Sequence, residues 1–384
     1  MKKSVKIVDG VKVAIDAEEN NIVMRLVSVD KINPGMYLAT SVYGPAGQIL
    51  LRKGVELKPH YTKYLKKMGI THVYISDSRV PEAEEIEDVI HEKTKIDAQI
   101  KLSNIFDDCK NGGTSSKVVV DKQMEEITHN IIDDLLKNEE VIVQLSEIRS
   151  LDDYMVTHSI NVTVLSLIIL LKSNYPYALV KKYAPGYMLI DIGMVKAQES
   201  LLKNRELLTD WELEKLHQHP ILGYEMFKNS SLFDEDAGNI ILQHHERMNG
   251  QGYPYGLVGD EISYLARIAA VAEVYDSLVS PQPDRRALLP SRAIRIMQEQ
   301  GSDYYDEEVL QLLFSFVAAY PVGTEVLLNN GDSGVVIGNT PGYPFNPKVK
   351  VLYRGEKKVP HHEPYIIDLA ESIHLMVMEV IEDG

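Results

Sequence analysis

The chain has 384 residues, 45% hydrophobic and 25% charged, the make-up of a globular protein with two or three domains. A formal net charge of −16 argues against generic DNA or RNA binding, which needs basic stripes, but leaves room for a small anion held by a local cluster. Cys109 is the single cysteine, which excludes an intramolecular disulfide and suggests a reducing, cytoplasmic setting.

In chain order, residues 1–22 read as a flexible N-terminus; Lys2 and Lys3 precede no apolar core, so no secretory signal is expected. Residues 23–79 read as a small α+β module. Met24 to Asp30 alternates like a strand, Gly44-Pro-Ala-Gly47 is a hairpin signal, and Lys58 to Met68 is a helix stopped by Gly69. Residues 80–149 form a helical linker region, acidic at Glu82, Glu84, Glu85 and Glu87 and broken at Asn111-Gly-Gly-Thr-Ser-Ser116. Helical periodicity resumes from Val118 to Leu145. Residues 150–319 are predicted to be a mainly helical central domain. Its longest apolar run, Val162 to Leu171, contains Thr163 and Ser166 and is too short to span a bilayer, so no transmembrane segment is expected. From Tyr320 the texture changes to short β-like runs separated by Gly331, Gly338 and Gly355, and residues 320–384 are expected to form a small β-barrel or sheet. The two terminal modules are candidate surfaces for protein partners, and a homodimer is compatible with this layout.

The chemistry concentrates in residues 244–256, His-His-Glu-Arg-Met-Asn-Gly-Gln-Gly-Tyr-Pro-Tyr-Gly. Two imidazoles with a nearby acid are metal-ligand types. A glycine-rich loop lets backbone N–H groups approach a phosphate. A second His-His-Glu, at His361, His362 and Glu363, lies between prolines and reads as a surface turn. The first cluster differs in its company. His158 lies at the start of an apolar helix, His219 precedes Pro220, and Asp191 and Glu273 are acids inside apolar helical runs. A buried acid costs several kcal/mol, on the order of 3–5, unless it is paired or bound to a metal.

His158-Ser-Ile-Asn161, Asp191-Ile-Gly193, His219-Pro220, His244-His-Glu246, Gly252-Tyr-Pro254, Ala266-Arg-Ile268 and Val274-Tyr-Asp-Ser-Leu278 occur in one order over residues 150 to 320. In this the segment resembles the HD-GYP family, helical metal-dependent phosphohydrolases of bacterial cyclic di-GMP signalling. The resemblance implies a metal site built from His158, Asp191, His219, His244, His245 and Glu273, with Asp191 also catalytic. It implies a divalent metal, iron or manganese. It assigns Gly252, Tyr253, Pro254 and Arg285 to the nucleotide, cyclic di-GMP or a related cyclic dinucleotide.

The chain departs from that family at the His-Asp signature, here Ile190-Asp191, and at a phosphate-binding lysine, here Met194. A late Asp ligand is Glu273, an Arg-Pro-Tyr-Arg segment is Gln282-Pro-Asp-Arg285, and a Glu ligand of trinuclear members is Tyr154. The expected site therefore holds one or two ions, or none. The expected function is a cyclic dinucleotide-binding or receptor protein with weak or no hydrolysis. An active metal-dependent phosphodiesterase and an interaction scaffold with a vestigial site are the alternatives.

Overall fold

The computed structural model describes residues 4–8, 11–15, 24–43, 49–68, 70–76, 89–111, 117–137, 142–143, 154–196, 208–231, 234–282, 285, 287–360, 365–372 and 374–381. The hairpin signal at 44–47, Gly69, the acidic run at 82–87, most of the breaker at 111–116 and the second His-His-Glu lie outside the described residues. The chain divides into two compact units, each taken here by itself. One comprises Met1–Asp88, Ile142–Asp152 and Ser315–Gly384; the other comprises Val89–Val141 and Asp153–Phe314.

The first unit begins with an antiparallel hairpin, β1 (Ser4–Val8) and β2 (Val11–Ile15), paired from Ser4 with Ile15 to Val8 with Val11. These two strands fall within the segment expected to be a flexible N-terminus. Both runs alternate valine or isoleucine with other residues around Asp9-Gly10, a dipeptide that favours tight hairpins. β3 (Met24–Ser28) pairs antiparallel with β6 (His72–Ser76), and β4 (Val42–Tyr43) pairs with β5 (Ile49–Leu51). Helix α1 (Pro59–Lys67) places Leu65 in a core with Val27, Leu38, Leu57 and Val73.

The chain's C-terminal part adds a six-stranded antiparallel sheet: β7 (Glu325–Leu328), β8 (Asp332–Thr340), β9 (Tyr343–Arg354), β10 (Lys357–Lys358), β11 (Ile366–Asp368) and β12 (Val377–Val380). The order is β10-β9-β8-β7-β12, with β11 also on β9. The terminal modules share this unit. Leu26 N–H donates to the Gly323 carbonyl at 3.0 Å, Arg25 pairs with Glu325 at 3.2 Å, and Met24, Ala39, Tyr74 and Val322 form one apolar cluster. Val143 also belongs here, bridging to Val317. The helix expected to reach Leu145 instead ends at Lys137. Val141-Ile-Val143 is a β-branched run that suits pairing better than a helix interior.

The second unit is helical: α2 (Glu92–Lys110), α3 (Lys117–Lys137), α4 (Tyr154–Lys172), α5 (Tyr177–Met188), α6 (Asp210–Leu216), α7 (His219–Phe227), α8 (Glu235–Gln243), α9 (Tyr264–Val279), α10 (Pro290–Tyr304) and α11 (Glu307–Phe314). α4 packs against α5 and α9. At 19 residues, α4 is long and apolar enough to cross a membrane by length and composition, which corrects the shorter expected run, but 72% of its 18-residue apolar window is buried inside the protein. Its apolar residues therefore have protein partners. The same core-forming helices carry His158, Glu273 and Asp276, so polar groups are held among apolar neighbours that limit their movement.

Candidate metal centre

Asp191 follows α5, and the 3₁₀ turn Ile192–Lys196 comes directly after it. That turn lies hard against α7. A Cβ on Gly193 would stand 2.0 Å from the His219 carbonyl oxygen and 2.6 Å from Gly223 N. Only glycine permits this approach, and the approach brings Asp191 beside His219. His219 opens α7, with Pro220 in the first turn, and its Nδ1–H donates to the Leu216 carbonyl at 2.9 Å. His244 caps the C-terminus of α8, and its Nδ1–H donates to the Ile241 carbonyl at 2.8 Å.

Both rings therefore present Nε2 inward as a lone-pair acceptor. The two Nε2 atoms face each other at 3.3 Å. Asp191 Oδ1 lies 3.3 Å from His219 Nε2 and 3.9 Å from His244 Nε2. His245 completes the group: one ligand atom from each of Asp191, His219, His244 and His245 fits within 4.8 Å of all the others. Two facing lone pairs beside a carboxylate repel unless positive charge lies among them. Their separation suits two nitrogens on one ion at about 2.0–2.1 Å each, so the donor set fits a divalent metal.

Electrostatics agrees. Burial opposes ionisation of Asp191, but the adjoining His219, His158 and His244 outweigh it and hold the carboxyl well below its usual range. Burial pushes His244 down to about 3, so its ring stays neutral at ordinary pH, the form a metal binds.

The far side of Asp191 is different. Its Oδ2 lies 3.5 Å from His158 Nε2, while His158 Nδ1–H donates to Asp276 at 2.7 Å. Asp276 also accepts from Asn161 at 2.8 Å and Ser280 at 3.0 Å. Burial disfavours charge on His158, but the Asp276 bond and the carboxylates of Asp276, Asp191 and Glu273 reverse this and raise it to about 9. Glu273 lies outside the four-group cluster. It accepts from Ser277 at 3.0 Å and pairs with Arg247 at 3.7 Å.

The Gly-Tyr-Pro loop is fastened to the histidines. A Cβ on Gly252 would lie 2.4 Å from both Arg247 N and Glu246 Cα, so the loop packs directly on the His-His-Glu segment. The buried Glu246 accepts from Tyr255 N at 2.8 Å and Leu257 N at 3.0 Å. The Tyr253–Pro254 peptide is cis. Arg285 donates a guanidinium N–H to the Ser277 carbonyl, one turn beyond Glu273.

Sequence reasoning did not assign roles to Asp276, Glu246, Arg247 or His217. Asp276 carried one signal: a second acid three residues after Glu273 in an otherwise apolar helix.

Residues 135–309 match the HD domain family, and residues 325–383 match a KOW domain associated with HD domains. A cyclic di-GMP phosphodiesterase of Pseudomonas aeruginosa is 29% identical over 72% of this chain and 65% of its own length. A cyclic di-GMP phosphodiesterase response regulator of Xanthomonas campestris is 36% identical over 32% of this chain and 33% of its own length. The chain thus spans less than two thirds of these relatives. An HDG"Y"P protein from Bdellovibrio bacteriovorus aligns over 76% of this chain and 98% of its own, at 17% identity and a TM-score of 0.45.

Residues 135–309 thus match an HD domain, and the relatives just given carry cyclic di-GMP phosphodiesterase names. HD domains are metal-dependent, and the four-group cluster lies within the matched residues. Ile190, which stands where the HD-GYP resemblance places a histidine, is fully buried and has no donor atom. The position of the family's lysine is Met194, also buried and without charge. Tyr154 stacks on His158 with ring centroids 5.3 Å apart, and burial raises its phenol far above the ordinary range. Asp284 lies outside the described residues.

Proposed function

We propose that the HD-GYP domain holds one divalent ion, iron or manganese, through Asp191, His219, His244 and His245. We propose further that it uses the ion to bind the phosphodiester of a cyclic dinucleotide, cyclic di-GMP foremost, with weak or no hydrolysis. The observation that carries this reading is the 3.3 Å approach of the His219 and His244 Nε2 atoms, with both Nδ1 atoms already bound to carbonyls. A bound ion supplies Lewis-acid charge to a phosphoryl oxygen and activates water. Asp191 stays ionised and faces the histidines through Oδ1, and the neutral His244 ring needs no deprotonation to bind.

Weak turnover follows from what the remaining residues lack. Ile190 offers no ligand and Met194 no cation, while Glu273 is engaged by Arg247 and Ser277. Loss of a cation on a transferring phosphoryl group is worth about 10³–10⁵ in rate, with the arginine finger as guide. The phosphodiesterase names of the relatives favour a second reading, an active enzyme working from the same four ligands.

One experiment separates the two. Elemental analysis and cyclic di-GMP turnover are measured on the same aerobic and anaerobic preparations. About one ion per chain with nucleotide binding and little product supports the receptor. Turnover of about 1 s⁻¹ or more supports the enzyme. Folded protein that takes up no iron or manganese refutes both.

A further inference from the structure

Among the converging groups, His219 is aimed by the Leu216 carbonyl, His244 by the Ile241 carbonyl, and Asp191 lies against His219. His245, half-buried, also belongs to a ring stack. Its ring stacks on Tyr253 with centroids 4.5 Å apart and planes 23° apart. The opposite face of Tyr253 stacks on His217 at 3.8 Å and 11°. We infer that this three-ring stack is a positioning device for the ligand His245, with Tyr253 as its middle plate and His217 as its outer one. The inference rests on the one-ion reading and adds His217, which no sequence signal pointed to.

Each plate is anchored independently. Tyr253 is held by its backbone N–H to the His245 carbonyl at 3.2 Å, and by a loop that Gly252 lets lie on Glu246 and Arg247. Glu246 grips the far limb of that loop through Tyr255 and Leu257. His217 caps α6, with its N–H on the Leu213 carbonyl at 2.9 Å, and stands two residues before His219. The corner that aims His219 at the ion therefore also sets His217 against Tyr253. The stack ties the α6–α7 corner to the end of α8, the two places from which the three histidine ligands come. Flat rings packed face to face resist rotation of the middle and end members, because turning one costs contact along its whole face. With an imidazole on each face, Tyr253 has no ring face left for a guanine. Its place in the Gly-Tyr-Pro motif is then explained by support of a ligand rather than by contact with nucleotide.

The test uses the full chain and manganese(II) alone as the probe. Calorimetric affinity and the melting temperature of metal-free protein are measured for wild type, His217→Ala and His217→Phe. His217→Ala should weaken manganese binding by about 3–10-fold, the range of one aromatic pair, and His217→Phe should restore it to within about twofold, since the stack needs a ring face and not a nitrogen. A crystal structure of metal-free His217→Ala should show the His245 ring turned from its wild-type orientation. Manganese binding by His217→Ala equal to wild type overturns the inference, and so does His217→Phe as weak as His217→Ala at an unchanged melting temperature. Wild type that binds no manganese defeats the one-ion reading instead. The crystallographic comparison then decides the stack by itself: an unmoved His245 overturns it and a turned one supports it.

Discussion

On one side of Asp191, two histidine Nε2 atoms meet at 3.3 Å and lie 3.3 and 3.9 Å from Oδ1. On the other side, Oδ2 faces His158, whose ring is bound to Asp276 at 2.7 Å, and Glu273 stands nearby against Arg247. The first side gathers acceptors and supplies no fixed cation. The second brings its own positive charge, on a histidine raised to about 9 and on a guanidinium. The difference teaches where an external ion fits: two crowded Nε2 acceptors beside a carboxylate leave a place for one, whereas the His158 side is already balanced by Asp276. Two histidines of the same motif set thus have opposite electrostatic roles, decided by what their Nδ1 atoms touch.

The largest effect should come from breaking the self-sufficient side. Asp276→Asn leaves His158 without its anion and should destabilise the metal-free protein by about 3–5 kcal/mol, the range for an uncoupled buried pair. The pH dependence has a definite sign. His158 has its folded value raised from 6.5 to about 9, so its contribution is fully present below about pH 6.5 and is lost as pH rises through about 9. His244, lowered to about 3, acts only in the acid range below 6.5, so denaturant melts between pH 7 and 10 of wild type and Asp276→Asn, compared with each other, report on His158 above the shared background of Cys109 and the tyrosines. A wild-type stability that is flat across that window, or unchanged by Asp276→Asn, would show that the pair is not charged.

On the metal side, His244→Ala removes a ligand directly. Loss of an outer partner costs about 10–100-fold in affinity, so loss of a ligand should cost more than about 100-fold. Metal content after dialysis and calorimetry with manganese check this; an undiminished metal content in folded variant protein would move the ion elsewhere.

The double change Ile190→His with Met194→Lys restores a donor and a cation. It should raise cyclic di-GMP turnover by about 10³-fold, the low end for a cation on a transferring phosphoryl group, if these two residues limit the reaction. Because Ile190 is fully buried, near-ultraviolet dichroism must first establish a native fold. Unchanged turnover at full metal occupancy would locate the limit elsewhere, with Glu273 and its Arg247 partner the next suspects.

The smallest effect is expected at Arg285. Its guanidinium already donates to the Ser277 carbonyl, so only its other N–H donors are available to a phosphate. Arg285→Ala should weaken cyclic di-GMP binding by about 1.5 kcal/mol, near the low end for a charged hydrogen bond. Equal affinities by calorimetry would remove Arg285 from the nucleotide site and leave metal binding untouched.

By itself, the sequence determined the helical centre, the β-rich tail and the four residues whose ligand atoms converge. Apolar periodicity and histidines at helix ends are local properties, and Asp191, His219, His244 and His245 each carry one. The N-terminal hairpin was equally legible, in two alternating runs around Asp9-Gly10, and was overlooked in favour of composition. What remained hidden depends on residues far apart in the chain. His158 and Asp276 are 118 positions apart and meet at 2.7 Å, a pairing that no local pattern announces. Leu26 bonds to Gly323, which joins the two terminal modules into a single unit, although each reads as a separate appendage. Glu273 reads as a ligand in one dimension, and in three it stands 3.7 Å from Arg247 and outside the four-group cluster. Periodicity and residue type report what a segment can bury or bind, because both are encoded within a few turns. Which acid neutralises which base is decided only when tertiary packing removes water and leaves each charge to its nearest neighbour.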